Sequence, residues 1–350
     1  MANYADIVWN AAQYKLKEMM LKPEFKHKPS TTLMTLKKNT EFLVPASERE
    51  RVWNTKTTDQ HTVEIATLDK QATTAKTARA AAHTGSINDG TKTTLTFVTR
   101  GRTFKYSLKQ ADGKIQSLAE MIAVQLRSAA IDLHGTLETY FLGLLNTNKS
   151  QVDVRDAASI SQSGYTWDGD NYIAQIANAD NNRAFQRIRA IMRQNYYQGQ
   201  LDSIVDEYFI QEAEYLIQQG RGNATNLGWQ FGSLGMGVSE ELVPDEGYLG
   251  MGYVFPVGTV GFVDWLPRLN RDGFGATFQN GGSYSTIDDP LGSGLKFAVH
   301  QYAAGADNEG AAGETQDVDV EVEISLDVAF AKAPMSTSNA SPIFKTGILE

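Results

Sequence analysis

SLAEMIAVQLRSAAIDLHGTLETYFLGLLN, running from Ser117 to Asn146, is the stretch from which the rest of the chain is read. Its apolar side chains Leu118, Ile122, Leu126, Ala129, Leu133, Leu137, Tyr140 and Leu144 return every three or four residues, the repeat of one helix face. Ser117 with Glu120 reads as a capping box, and Asn146 as a left-handed stop. A helix of this length is a rod of roughly 45 Å. Gly135 and Gly143 each weaken it by about 1 kcal/mol relative to alanine, so other elements must pack on it. A single long helix among strand signals is a spine, with Leu118, Ile122, Leu126, Leu133, Leu137 and Leu144 expected in the core.

The chain has 350 residues, of which 41% are hydrophobic, enough for several sub-domains around a real core. Cysteine is absent, which excludes disulfides, thiolate metal sites and cysteine nucleophiles. Neither a signal peptide nor an apolar run of membrane-spanning length is found, and no membrane association is expected. The first block, MANYADIVWNAAQYKLKEMM, reads as an amphipathic helix with Ile7, Ala11, Tyr14 and Met20 near one side. The net charge of −9 conceals an asymmetry: residues 1–110 carry 18 Lys and Arg against 10 Asp and Glu, and residues 111–350 carry 14 against 31. The basic residues are scattered singly. That favours a basic face for the acidic part of a neighbouring copy over nucleic-acid contact.

Residues 22–48, with Pro23, Pro29 and Pro45, read as an extended arm running over a surface. Two β-prone runs follow, Thr62–Leu68 and Thr93–Tyr106, separated by Thr/Ala-rich chain and the turn signal Asn88-Asp89-Gly90. Such a hairpin is marginal alone and needs a partner surface, the alternative being a mobile surface loop. After the spine, Phe185, Ile188, Ile191 and Met192 mark a helix flanked by Arg183, Arg187 and Arg193; Leu201–Val205 reads as strand and Asp206–Gln219 as helix. GSLGMG at 232–237 and GYLGMG at 247–252 read as irregular loop, and Tyr253–Trp265 as one β-prone run. Leu295–Tyr302 reads as strand. From Val318 to Val328 apolar residues alternate with Asp, Glu or Ser, giving one buried and one acidic, wet sheet face.

Chemistry is sparse. His27, His61, His83, His134 and His300 have no metal-ligand spacing, and neither a phosphate loop nor a nucleophile elbow is present. Asp288-Asp289 and Asp307 with Glu309 are the neighbouring carboxylates a glycosidase would need, but among 41 acidic residues such neighbours are expected on solvated surface. The loop around Asp307 lacks an EF-hand frame. No enzyme, metal or cofactor is expected.

The order of parts, α+β in class, resembles the major capsid proteins of tailed bacteriophages, with their HK97-like fold. VGTVGFVDWLPRLNRDG, Val257–Gly273, is similar to the strand and turn of their axial (A) domain, and FAVHQYAAGADNEGAAGETQDVDVEVEISLDVAFA, residues 297–331, to the closing strands of their peripheral (P) domain. The resemblance implies an N-terminal arm at 1–48, an extended β E-loop at 49–106 and the P domain with its spine helix at 107–165. It further implies the A domain at 166–290, closing P-domain strands at 291–335 and a tail at 336–350. It implies a non-enzymatic shell protein that forms pentamers and hexamers around double-stranded DNA. Location would be the virion, after assembly in the host cytoplasm, with portal and decoration proteins as partners. The charged helical block that some members cleave off is absent, which implies a separate scaffolding protein or none. Lys70, Lys76, Arg79 and Lys92 of the E-loop are the expected contacts between copies. Lys70 and Lys76 have no evident asparagine partner, so no covalent cross-link is expected. The alternatives are an encapsulin-like compartment around cargo protein and, in another class, a carboxylate-dependent hydrolase acting on carbohydrate.

Overall fold

In the computed structural model the spine is helix α4, Ile115–Thr147, 33 residues long. The structure describes residues 3–23, 26–67, 91–107, 115–152, 165–194, 197, 199–219, 234–273, 282–304, 319–334 and 340–350. Leu118, Ile122, Leu126, Leu133 and Leu137 are fully buried, as expected. Leu144 is only half-buried. The stripe passes from Leu137 to Phe141 and Leu145, and Tyr140 and Leu144 flank it, Tyr140 lying 4.4 Å beneath the Arg100 guanidinium. Both expected caps fall inside the helix. At its C-terminus, side chains take the carbonyls a left-handed residue would have served: Thr147 Oγ1 donates to the Gly143 carbonyl and Asn148 Nδ2 to that of Leu144, each at 2.9 Å.

Helix α1, Asn3–Leu21, lies along α4, and the expected side is split: Ala11 and Met20 pack partly buried against the core, whereas Ile7 and Tyr14 face outward. Val8, Trp9, Ala12 and Leu16 are buried, whereas Ile7, Tyr14 and Leu21 are 52%, 70% and 79% exposed. The expected extended arm is also corrected, because residues 22–48 contain α2, Thr31–Leu43, and lead into α3, Ala46–Thr55. The prolines stand at helix boundaries, not along an extended strand. Ser30, just after Pro29, caps α2 by accepting from the Leu33 N–H at 3.3 Å, and Pro45 is the N-cap of α3. Leu33 and Leu36 of α2 are buried in the core built on the spine.

Two sheets flank these helices. The first joins β1 (Thr62–Thr67), β2 (Thr91–Ser107), β11 (Asp319–Lys332), β10 (Lys296–Ala304) and β9 (Gly282–Asp288) in that order, with β8 (Val260–Trp265) also pairing β11. The hairpin reading holds: Thr62 to Thr67 pair antiparallel with Thr96 to Thr91. β2 then changes partner, and Phe97 to Ser107 pair with Ala329 to Asp319. The outer six residues of β2 therefore leave the sheet as a two-stranded ribbon with β1. The loop that joins the two strands, with the Asn88-Asp89-Gly90 signal, Lys70, Lys76 and Arg79, lies outside the described residues.

β11 alternates as expected until Asp327, on the wet side, is itself buried. The closing strands pair with each other and lie on the spine as the pattern implied, Ala298 opposite Ser325.

The second sheet runs β3 (Thr166–Asp168), β4 (Ile173–Ile176), β12 (Phe344–Leu349), β7 (Tyr248–Pro256), β5 (Leu201–Val205), β6 (Leu234–Val238). It carries α5, Ala184–Gln194, and α6, Glu207–Gln219, which bury Phe185, Ile188, Ile191, Met192 and Phe209 against it. Four expectations change here. From Leu234 and from Tyr248 onward the two Gly-rich near-repeats are strand, contributing to β6 and β7 on either side of β5. Glycine admits close neighbours there: a Cβ on Gly252 would lie 2.8 Å from Val205 Cγ1. The run Tyr253–Trp265 is two strands in two sheets, broken where Gly258 adopts φ 78°. Thus β8, α7 (Arg268–Arg271) and β9, expected within the unit 166–290, belong with the closing strands. The tail 336–350 supplies β12, an interior strand of the second sheet.

Candidate functional site

α2 stands where the two sheets and the spine meet, and its polar residues bind each of them. Asn39 Nδ2 donates to Asp202 Oδ2 on β5 at 2.7 Å, and its Oδ1 accepts from the Gly258 N–H at 2.6 Å. Thr40 Oγ1 accepts from the Phe262 N–H on β8 at 2.8 Å, and its proton is within reach of the Leu36 and Phe262 carbonyls. Thr31 Oγ1 donates to the Val238 carbonyl on β6. On the spine, Glu138 Oε1 accepts from Thr32 Oγ1 at 2.8 Å and from Ser239 Oγ at 2.6 Å. Every one of these side chains but Thr31 is buried. The reading of 22–48 as surface arm missed this set; Leu33, Leu36 and Thr40 at helical spacing were the available signal.

His134 and Asp289 are the pair closest to catalytic furniture. His134 Nε2 lies 2.9 Å from Asp289 Oδ2, and its Nδ1 accepts from the Ser30 N–H at 3.3 Å. That places the proton on Nε2, directed at the carboxylate. Asp289 also accepts from Ser293 Oγ, from the Ser293 N–H at 3.1 Å and from the Leu291 N–H at 2.9 Å. Burial works to raise the carboxyl, but the His134 hydrogen bond and the other donors prevail and hold it below its ordinary 3.8. Asp289 is therefore not the solvated carboxylate its neighbour suggested, although Asp288 is exposed. Both imidazole nitrogens are occupied by the fold. Neither is free to activate a nucleophile, and the pair ties α2 and α4 to the turn after β9.

Lys56, just past α3, is enclosed with its Nζ 3.4 Å from Asp327 Oδ2 and 3.5 Å from the Trp265 ring centre. Asp327 Oδ1 accepts from Thr99 Oγ1 at 2.6 Å. Desolvation pulls the lysine below its ordinary 10.5, against the attraction of Asp327. This pair roots the ribbon, because Thr99 is on β2 and Val63, Ile65, Leu95 and Phe97 pack in the same cluster as Trp265.

Of the four expected contact cations, Lys92 alone is among the described residues. It is exposed and pairs with Glu64 across the ribbon at 3.1 Å. Two grooves flank the spine. One, of about 580 Å³, lies between β2 and α4 and is lined by Arg100, Arg102, Asp132, Tyr140 and Glu241. The other, of about 350 Å³, lies beside the start of α2, with Glu207, Glu240 and Glu241 at its wall. Among the described residues no group of three or more His, Asp or Glu could hold a metal, and no helix is long and apolar enough to cross a membrane.

No family model and no curated protein matches the chain. Among solved structures, one described as Mycobacterium phage Che8 is 12% identical, with 88% of this chain and 90% of that chain covered and a TM-score of 0.47. One described as the capsid of Myoviridae phage XM1 is 12% identical, with 83% and 87% covered and a TM-score of 0.39. A capsid structure of cyanophage P-SCSP1u is 12% identical over 83% of both chains, with a TM-score of 0.36.

Proposed function

We propose that this chain is a structural shell protein of the HK97-like kind, a major capsid protein that assembles into pentamers and hexamers of an icosahedral head around double-stranded DNA. The observation that carries the reading is the β1–β2 ribbon. Its outer part leaves the first sheet with no strand of the chain, among the described residues, to cover it, while Lys56 and the Trp265 cluster hold its root rigidly. Its inward residues Val63, Ile65 and Leu95 are buried against the subunit, but among the described residues its strand edges stay open, and such edges are stabilised by pairing with or covering by another copy.

Two further features support the reading. Ile7, Tyr14 and Leu21 recur every seven residues along the outside of α1, an exposed apolar stripe of the sort that marks association surfaces. The excess of cations before residue 110 and of anions after it suits attraction between copies. The net negative charge suits a container whose wall must not hold the DNA polyanion. Scaffolding, portal and decoration proteins are the partners that such an assembly implies, and the virion is its location.

Negative-stain microscopy of the purified protein is the test. Closed shells of uniform size are expected, and shells recovered from infected cells should contain DNA. Uniform shells filled with protein cargo would shift the reading to a compartment of the encapsulin kind. A protein that stays monomeric at high concentration, with or without a scaffold, would remove it.

A further inference from the structure

Residues 111–350 carry 31 acidic against 14 basic side chains, yet from Asn181 to Leu201 there is no Asp or Glu and there are four arginines. Arg183 stands one residue before α5, and Arg187, Arg189 and Arg193 are within it. The helix turns Phe185, Ile188, Ile191 and Met192 to the second sheet, and the arginines occupy its other side, Arg183 and Arg193 exposed, Arg187 and Arg189 half-buried. Asp180 lies 3.5 Å from Arg187. Burial and the nearby Arg193 charge pull the Arg189 guanidinium below its ordinary value, so an anion brought to this end of the helix would relieve a repulsion.

Helix α6 is the counterpart. It holds Glu207, Glu212 and Glu214 and no Lys or Arg. Phe209 is buried with its ring centre 6.2 Å from that of Phe185, so the two helices share one apolar cluster on the sheet. Glu207, Gln211, Glu214 and Tyr215 are exposed, Tyr215 by 55%. A carboxylate takes a guanidinium in two parallel hydrogen bonds and a tyrosine ring takes it in a stack, so this face offers the groups an arginine surface needs. One layer of the subunit therefore has a basic helix and an acidic helix. Contact of α5 with α5 would set arginine against arginine, whereas α5 with α6 joins opposite charges, which favours a head-to-tail contact over a two-fold one. A DNA duplex would meet the α6 glutamates on the same layer and is the poorer fit.

We propose that the arginine face of α5 receives the Glu207, Glu214 and Tyr215 face of α6 from a second copy of this chain, in a head-to-tail contact that closes into a ring, an inference that rests on the assembly of copies proposed above. Each exposed pair contributes little by itself. The pattern sets the order and orientation of copies, because the wrong arrangements bring like charges together.

A charge swap in the full chain tests this, with sedimentation velocity reading rings, negative-stain microscopy reading shells and circular dichroism checking the fold. Arg183→Glu with Arg193→Glu should lower the yield of rings about tenfold, and so should Glu207→Arg with Glu214→Arg, since each change sets like charges together. All four changes in one chain should restore the yield. If a charge variant does not fold, the absence of cysteine from the chain allows a second route: Arg193→Cys chains mixed with Glu214→Cys chains and oxidised should give the mixed disulfide pair in preference to either like pair. Rings of the parent that obey the swap without ever closing into shells uphold the inference and remove the shell reading. Parent shells with normal yield from either pair of changes, with no rescue by the combined variant, or with like and mixed disulfide pairs formed equally, overturn the inference and keep the shell reading. Normal shells that retain less DNA when Arg183 and Arg193 are changed to Glu would also overturn it, assigning the arginine face to the polyanion.

Discussion

His134 shows how a residue suited to catalysis becomes structural through its neighbours. With Nδ1 turned to the Ser30 amide and Nε2 to Asp289, the imidazole is used up in joining α2, α4 and the turn after β9. Asp289 carries a pH signature. Its carboxyl is held below 3.8, so at pH above that value it contributes stability, and this contribution is lost as pH falls through the lowered folded value. Asp289→Asn should therefore be less stable than the parent by about 1.5–3 kcal/mol near neutrality, with the gap closing in acid; urea titrations from pH 7 down to 2 would read it. A gap that is constant with pH would deny the carboxylate its place. Leu133, fully buried on the spine, makes the complementary case. Leu133→Ala should cost about 2–5 kcal/mol, whereas Leu133→Asp buries a lone carboxylate and should yield no soluble folded chain, as judged by circular dichroism of the soluble fraction.

Among elements, α2 has the most consequence for its length. It joins β5 and β6 of one sheet to β8 of the other and to the spine, largely through side-chain to backbone hydrogen bonds. The close approach that permits this depends on Gly261, where a Cβ would lie 2.9 Å from both the Cα and the backbone nitrogen of Thr40. Backbone atoms cannot swing aside as a side chain would. Gly261→Ala should force α2 from β8 and destabilise the chain by about 1–3 kcal/mol. Thermal melts of the subunit would measure the loss, and an unchanged midpoint would mean that α2 is not seated as tightly as its hydrogen bonds require.

At the scale of the whole molecule, charge and ribbon bear on assembly. Lys92 is on the ribbon and exposed, and Lys70, Lys76 and Arg79 belong to the sequence that joins its two strands, which contains few large apolar residues. Lys92 already has Glu64 as a partner, but both ends are exposed, and such pairs contribute only about 0–1 kcal/mol each. Their sum over many copies is what matters. Changing all four to Glu should leave the subunit folded by circular dichroism while shell yield in microscopy falls sharply, as like charges meet the acidic remainder of the next copy. Normal shell yield from the fourfold variant would remove charge from the account of assembly, and loss of folding would show that the ribbon belongs to the core.

The amino-acid sequence by itself determined the spine, the β-prone runs of β1 and β2 and the alternation of β11, because each rests on a period or spacing confined to neighbouring residues. It did not determine which face of α1 turns inward: the side read from it, Ile7, Ala11, Tyr14 and Met20, is only half applied to the core, and the spine lying alongside selects Val8, Trp9, Ala12 and Leu16 instead. The helix Thr31–Leu43 was signalled only by the spacing of Leu33, Leu36 and Thr40, because the prolines around it read alike at helix boundaries and in an extended arm until Ser30 and Pro45 are seen capping. The division of Tyr253–Trp265 between two sheets, the interior place of β12 and the burial of Asp289 and Asp327 were settled by tertiary structure alone. Each depends on a partner far away in sequence, and strand pairing, close packing and desolvation are properties of such pairs rather than of the segment that carries one half.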